Sequence, residues 1–176
     1  MWFCRAAQTG TALPTCWQKA SGRGAQAAGH TVELVDVAHA DIHPCTGCIH
    51  CGYEGPCVQQ DGVQRIRSQI LHADMLVFAT PLYYYGMSAQ LKMLLDRFCA
   101  FNSSIQRGHK KAALLTVAWN SDSWTFEALV AHYKTLVRYL NLTDMGMVLG
   151  YGCGTPAMTR RSPFPQKAYE LGNKLK

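Results

Sequence analysis

Long apolar runs are missing from this chain of 176 residues. No stretch approaches the roughly 20 consecutive apolar residues that a membrane-spanning helix requires, so no membrane span is expected. The first residues also lack the apolar core of a secretion signal, because polar side chains interrupt them from Arg5 onward. A cytoplasmic location is the resulting expectation. Charge is sparse: Asp, Glu, Lys and Arg make up 16% of the residues, and the net charge is +6. That excess could favour a phosphate-bearing ligand. However, the basic residues are scattered, with only Lys110-Lys111 and Arg160-Arg161 adjacent, and a nucleic-acid partner is not indicated. Internal repeats, low-complexity tracts and linkers are absent as well, which implies one domain over residues 1–176, with 1–23 as an atypical segment. The seven histidines show no zinc-enzyme spacing such as H-E-x-x-H, and no His/Asp/Ser constellation stands out.

What is present alternates. Thr31–Val37 (TVELVDV) reads as a strand after a helix end at Gly24–Gly29, and Asp61–His72 reads as an amphipathic helix. Met75–Thr80 (MLVFAT) is a continuous apolar run of the kind that is buried on both faces of a sheet. A helix over Ser88–Phe101, a strand over Lys111–Trp119, a helix over Phe126–Leu140, a strand over Met145–Gly152 and a helix over Pro165–Leu175 follow. Strict alternation of strand and helix predicts an α/β fold with a doubly wound parallel sheet, in which ligands bind at the carboxyl ends of the strands. Four good strands are visible, and the first of the pattern is lacking.

The segment ATPLYYYGMSAQLKMLLDRF (Ala79–Phe98) joins a buried strand to a helix through Thr80, Pro81, Leu82, Tyr83, Tyr84, Tyr85, Gly86 and Ser88. Three tyrosines offer ring faces and hydroxyls, and Gly86 permits close backbone approach, which suits a flat aromatic ligand. A loop whose tyrosines merely cover the sheet edge would read the same way. The segment resembles the flavin-contacting loop of the flavodoxin-like NAD(P)H-dependent FMN reductases, a group that includes multimeric flavodoxins and iron–sulfur flavoproteins. The pattern falls on Pro81, Tyr83, Met87 through Lys92, Asp96 and Arg97, and the similarity runs from about Gly24 to the C-terminus. The resemblance implies strand order 2-1-3-4-5 and FMN held against the loop from Thr80 to Ser88. It also implies a second loop reaching the ring through Trp119 and Asn120, and a homo-oligomer. Electrons would then pass from NAD(P)H to a small-molecule or protein acceptor, with the chemistry carried by the flavin and no protein acid or base required. His132 and Tyr133 are expected to be structural.

Of the eight cysteines, four fall within HPCTGCIHCGYEGPC as Cys45, Cys48, Cys51 and Cys57, spaced C-x2-C-x2-C-x5-C. Such spacing can wrap a [4Fe-4S] cluster, can supply four thiolates to zinc, or can hold reduced, redox-active thiols. It resembles the cluster motif of iron–sulfur flavoproteins, yet it also occurs in relatives that look like plain FMN reductases, so spacing alone leaves the three open. Three functions follow: an FMN oxidoreductase, an iron–sulfur electron carrier, or a thiol or zinc module without flavin. Cys99 and Cys153 are expected to be buried small hydrophobes.

In the family the first strand ends in a Gly-Ser-Pro…Gly-Asn-Thr/Ser loop that holds the FMN phosphate at a helix N-terminus. MWFCRAAQTGTALP contains nothing of the kind. Read from the third base of the first codon, however, Met1 to Cys4 forces Val-Val-Leu, and the next codons permit Ser-Gly-Ser-Pro-Asn-Gly-Asn-Ser. Further on, Cys16-Trp17-Gln18 forces Leu-Ala, then Lys or Glu. Residues 1 to about 23 therefore read as a frame-shifted version of the family's start, against the alternative of a genuinely divergent one.

Overall fold

The computed structural model describes residues 2–5 and 13–174. Five parallel strands form one sheet in the order β2-β1-β3-β4-β5. They are β1 (Trp2–Arg5), β2 (Glu33–Asp36), β3 (Met75–Pro81), β4 (Lys111–Val117) and β5 (Thr143–Gly150). The connecting helices are α1 (Leu13–Ala27), α2 (Val63–His72), α3 (Ala89–Arg97), α4 (Asn102–Arg107), α5 (Glu127–Tyr139), α6 (Pro156–Arg161) and α7 (Phe164–Asn173). The doubly wound arrangement and its strand order are those the sequence implied.

One expectation needs correction. The first strand is in place: β1 pairs with β2 from Trp2 opposite Glu33 and with β3 from Trp2 opposite Leu76. Strand pairing uses main-chain N–H and C=O groups, so a four-residue stretch can take the central position without a recognisable apolar pattern. The helix expected over Ser88–Phe101 also stops being α-helical at Arg97. A 3-10 turn over Phe98–Phe101 then leads into α4.

Alternation along the strands divides the core in two. Leu76, Phe78, Ala112 and Leu114 point to one face, where Ile66 and Ile70 of α2, Leu91 and Leu94 of α3, and Leu129 and Tyr133 of α5 cover them. Met75, Val77, Ala79, Ala113 and Leu115 point to the other, under Trp17 and Ala20 of α1 and Ala168 of α7. Helices α1 and α7 cross at two glycines. A Cβ on Gly24 would lie 2.1 Å from the Tyr169 carbonyl oxygen, and one on Gly172 would lie 2.1 Å from that of Ser21. Only glycine allows backbones this close.

Candidate functional site

The carboxyl end of β3 opens into the tyrosine loop, whose mouth is pinned from inside. The buried Thr80 hydroxyl donates to the Pro81 carbonyl (2.9 Å) and accepts from the Ser88 backbone N–H (2.9 Å). Ser88 is itself buried and caps α3, its hydroxyl accepting from the Leu91 N–H. Tyr83 and Gly86 exchange two backbone hydrogen bonds of 3.0 Å, so Tyr84 and Tyr85 form the tip of a tight turn. Both stand in the left-handed region, with φ of 45° and 62°. That conformation is costly for bulky side chains and is typical of places where function fixes the backbone.

The loop after β4 faces this turn. Tyr85 lies 5.1 Å from Trp124, ring to ring, and its hydroxyl accepts from the Asn120 side-chain amide at 3.5 Å. Between the two loops is a cleft of about 260 Å3 lined by Leu82, Tyr84, Tyr85, Ala118, Trp119, Asn120 and Thr125. Tyr84 is fully exposed and Trp119 is 67% exposed. Trp119 rests on Gly154, where a Cβ would lie 1.9 Å from the indole Cε3. The Thr125 hydroxyl is buried and has no partner among the described residues.

Of the residues expected at the site, Leu82, Tyr84, Tyr85, Trp119 and Asn120 thus come together around the cleft. Thr80, Pro81 and Ser88 lie buried beneath the loop, while Tyr83 and Gly86 close the turn. Trp124 and Thr125, in the same loop as Trp119, and Gly154, from the loop after β5, also line or flank the cleft, but no motif or spacing in the sequence marked them. The phosphate-binding loop, expected between the first strand and first helix, falls on residues outside the described ones. Tyr133 is structural as expected: its hydroxyl donates to Asp144 (2.9 Å), and burial together with that carboxylate pushes the phenol far above its ordinary value.

The cysteine loop lies elsewhere, over the end of α3 and the 3-10 turn. Cys45 and Cys48 are exposed, whereas Cys51 and Cys57 are half-buried and packed against the core that contains Phe98 and Phe101. Hydrogen bonds from the His50 backbone and the Thr46 side chain hold the Cys48 thiol below its ordinary value. Cys153 is fully buried, as expected, but Cys99 is not. It is half-buried, and its thiol meets that of Cys51; burial and the neighbouring Cys51, Cys45 and Cys57 push it up. Among the described residues, no three His, Cys, Asp or Glu side chains stand close enough to share a metal ion. A second cavity, of about 240 Å3, is walled by Cys57, Arg67, Arg97 and Phe101. Also among the described residues, no helix is long and apolar enough to cross a membrane.

The sequence pattern of the NADPH-dependent FMN reductase family matches residues 15–151. An iron-sulfur flavoprotein of Methanocaldococcus jannaschii is 35% identical over 89 residues, covering 51% of this chain and 46% of that protein. One from Archaeoglobus fulgidus is 25% identical over 148 residues, covering 84% of this chain and 65% of its own length. The chain therefore spans about half to two thirds of these curated relatives. Among solved structures, an NAD(P)H:quinone oxidoreductase from Methanothermobacter marburgensis superposes with a TM-score of 0.80 at 17% identity, covering 99% of this chain and 94% of that one.

Proposed function

The chain belongs to the NADPH-dependent FMN reductase family, and from that premise we propose that it binds FMN and transfers electrons from NAD(P)H to a small acceptor. The observation that carries this reading is the aromatic cleft with an unpartnered, buried Thr125 hydroxyl in its wall. A buried hydroxyl without a partner costs free energy, which a polar ligand atom would recover. Trp119 and Tyr84 would hold the isoalloxazine by stacking, and Asn120 and the loop amides would orient it. When bound, FMN supplies the hydride and electron chemistry. The protein's own part is to bind, orient and exclude water, and none of these roles requires a titrating group. The same reading makes the chain a homo-oligomer in which a second copy shelters the exposed Tyr84 and Trp119; light scattering on the FMN-loaded protein tests this.

Fluorescence titration with FMN should give saturable binding that Trp119→Ala, Tyr84→Ala and Thr125→Val each weaken. Anaerobic mixing with NADH and NADPH should then bleach the flavin. A wild-type protein that takes up no FMN would overturn the reading.

The spacing of the cysteine loop, though not the placement of its thiols, raises a second reading. Four thiols within a short loop suit an iron–sulfur cluster or another soft metal. The candidate ligands are Cys51 and Cys57, anchored on the core, and Cys45 and Cys48, both exposed; as the loop is folded here no three of them stand close enough to share a metal ion. Iron and sulfide in anaerobically purified protein would support the assignment, and their absence together with full flavin reductase activity would refute it.

A further inference from the structure

The backbone of the cysteine loop winds tightly around Cys51. The Cys51 carbonyl accepts from the backbone N–H of Glu54 (3.1 Å) and of Gly55 (2.6 Å), and the Gly52 N–H donates to the Ile49 carbonyl (2.9 Å). Ile49, Gly52 and Tyr53, on either side of Cys51, stand in the left-handed region, with φ of 57°, 54° and 68°. For a β-branched residue that conformation is an outlier, and the Ile49 side chain is left 62% exposed. The turn thus gives isoleucine to solvent while it packs the Cys51 side chain on the core.

The ends of the loop are fixed as well. Arg97 ends α3, is 1% exposed, and donates to the His43 carbonyl (2.8 Å), to the Gln59 carbonyl (3.5 Å) and to both Asp61 oxygens (2.6 and 3.3 Å). His43 stands two residues before Cys45, and Gln59 two residues after Cys57.

Held in this way, Cys51 meets a thiol from outside the motif. Cys99 lies in the 3-10 turn between Phe98 and Ala100, both of which belong to the core cluster that Cys51 packs against. The Cys51 and Cys99 thiols lie within hydrogen-bonding reach of one another, while Cys45 and Cys57 act on Cys99 through their charge. No three ligands come together for a metal ion. Two adjoining thiols, however, are what a disulfide needs.

We propose that Cys51 and Cys99 are a redox-active pair, which a small hydroperoxide oxidises to a disulfide that ties the cysteine loop to the 3-10 turn. The pair requires neither flavin nor metal. Oxygen passes from the hydroperoxide to the Cys51 sulfur as the O–O bond breaks, which gives a sulfenic acid and releases water or an alcohol. The Cys99 sulfur then attacks that sulfur, the S–O bond breaks, and the departing hydroxide takes the Cys99 proton to leave as water. Two thiols lose two electrons and two protons in all, and hydrogen peroxide becomes two waters. Burial and the neighbouring Cys51 push the Cys99 thiol up, so it keeps its proton and reacts second. Both side chains are half-buried, which leaves access for an oxidant as small as hydrogen peroxide.

The test treats the full chain, reduced and metal-free, with one equivalent of hydrogen peroxide, blocks the remaining thiols with iodoacetamide and maps the tryptic peptides without reduction. Trypsin separates the two sulfurs, since residues 24–65 carry Cys51 and residues 98–107 carry Cys99. The expected product joins these two peptides with the loss of two hydrogens, and dithiothreitol parts them. Cys51→Ser and Cys99→Ser should each abolish the link, whereas Cys45→Ser and Cys57→Ser should form it as wild type does. The loop that the bond closes is long, so the oxidised protein should melt roughly 4–16 °C above the reduced one, reversibly. If Cys99→Ser does not fold, loss of the link in Cys51→Ser decides the matter. No link, a bridge confined to residues 24–65, a link that survives in Cys51→Ser, or an oxidised form that melts lower would each overturn the pair. Protein isolated with iron that shields Cys51 from peroxide would also overturn it, and would leave the metal reading standing.

Discussion

Replacing Gln18 with methionine should make the protein more stable, the reverse of what most changes at buried positions do. Gln18 lies in α1 and is 3% exposed. Both its side-chain Nε2 and Oε1 are buried without a partner among the described residues. An amide buried without hydrogen bonds costs about 1–3 kcal/mol on the scale of protein mutational data. Methionine keeps the length of the side chain and suits a helix, so the packing of the methylenes survives while the desolvation cost disappears. The expected gain is therefore about 1–3 kcal/mol. In a chain of this size each kcal/mol moves the melting temperature by about 2–4 °C, so Tm should rise by roughly 2–12 °C. Thermal melts and urea unfolding of the FMN-free protein measure this, the latter as a higher midpoint at an unchanged slope. Gln18→Ala also removes the orphaned amide but leaves a cavity, so it should gain less than methionine does. A lower midpoint for Gln18→Met would mean that the amide is hydrogen-bonded after all, and the reasoning would fail.

Gly154→Ala should dislodge Trp119 from its seat and weaken FMN binding about threefold to tenfold, the worth of one aromatic contact; unaltered affinity in a fluorescence titration would show that Trp119 does not touch the ring. Burial alone would raise the Asp61 carboxyl, but the hydrogen bond from Arg97, those from the His43 and Val63 backbone and the guanidinium charge outweigh it and hold the carboxyl below its ordinary value. Because the folded value lies below the unfolded one, Asp61 stabilises fully above about pH 4, and the benefit fades as pH falls through the folded value. The stability gap between wild type and Asp61→Asn should accordingly shrink between about pH 5 and pH 2, and a gap of constant size would contradict the assignment. A version of the chain beginning VVLSGSPNGNS should bind FMN at least tenfold tighter and melt higher, since each hydrogen bond to a phosphate is worth about 1.5–3 kcal/mol; equal affinity and Tm would make MWFCRAAQTG a sufficient start.

The elements that were legible in the sequence are those whose side chains announce their burial. Strands β3 and β4 are predominantly apolar, and all of their residues but Lys111 are buried, because both faces are covered, and α2 and α5 place Val63, Ile66 and Ile70, or Leu129, Tyr133 and Val137, at helical spacing. Strand β1 escaped notice because what makes it a strand is main-chain pairing to two neighbours. Helix α6 is too short to show a period, although Thr155 as cap and Pro156 at the first helical position were a readable signal. In the site, the tyrosine loop could be read because it is continuous in sequence. Gly154 could not, because only folding brings it beside Trp119, and Thr125, though in the same loop as Trp119, has no pattern that marks its buried hydroxyl. The buried ion pair of Arg97 and Asp61 was hidden because its partners are 36 residues apart.

The remaining discord between sequence and fold is local. Six buried side-chain nitrogen and oxygen atoms lack partners among the described residues, and three of them belong to Trp17 and Gln18. The Trp17 ring is packed against Phe164 at 5.4 Å and lies so close to Gly150 that a Cβ there would come within 1.8 Å of the indole. Yet its N–H reaches no acceptor among the described residues. Natural cores satisfy nearly all such groups, so a cluster of unsatisfied ones in a single turn of one helix marks side chains at odds with their surroundings. That turn falls inside residues 1–23, where the alternative reading frame places Leu-Ala in the stretch Cys16-Trp17-Gln18. Two small apolar residues there would leave no orphaned donor or acceptor and would relieve the contact with Gly150. The double variant Trp17→Leu, Gln18→Ala, the pair that frame specifies, should therefore melt no lower than wild type, and a clearly lower Tm would count against the frame reading.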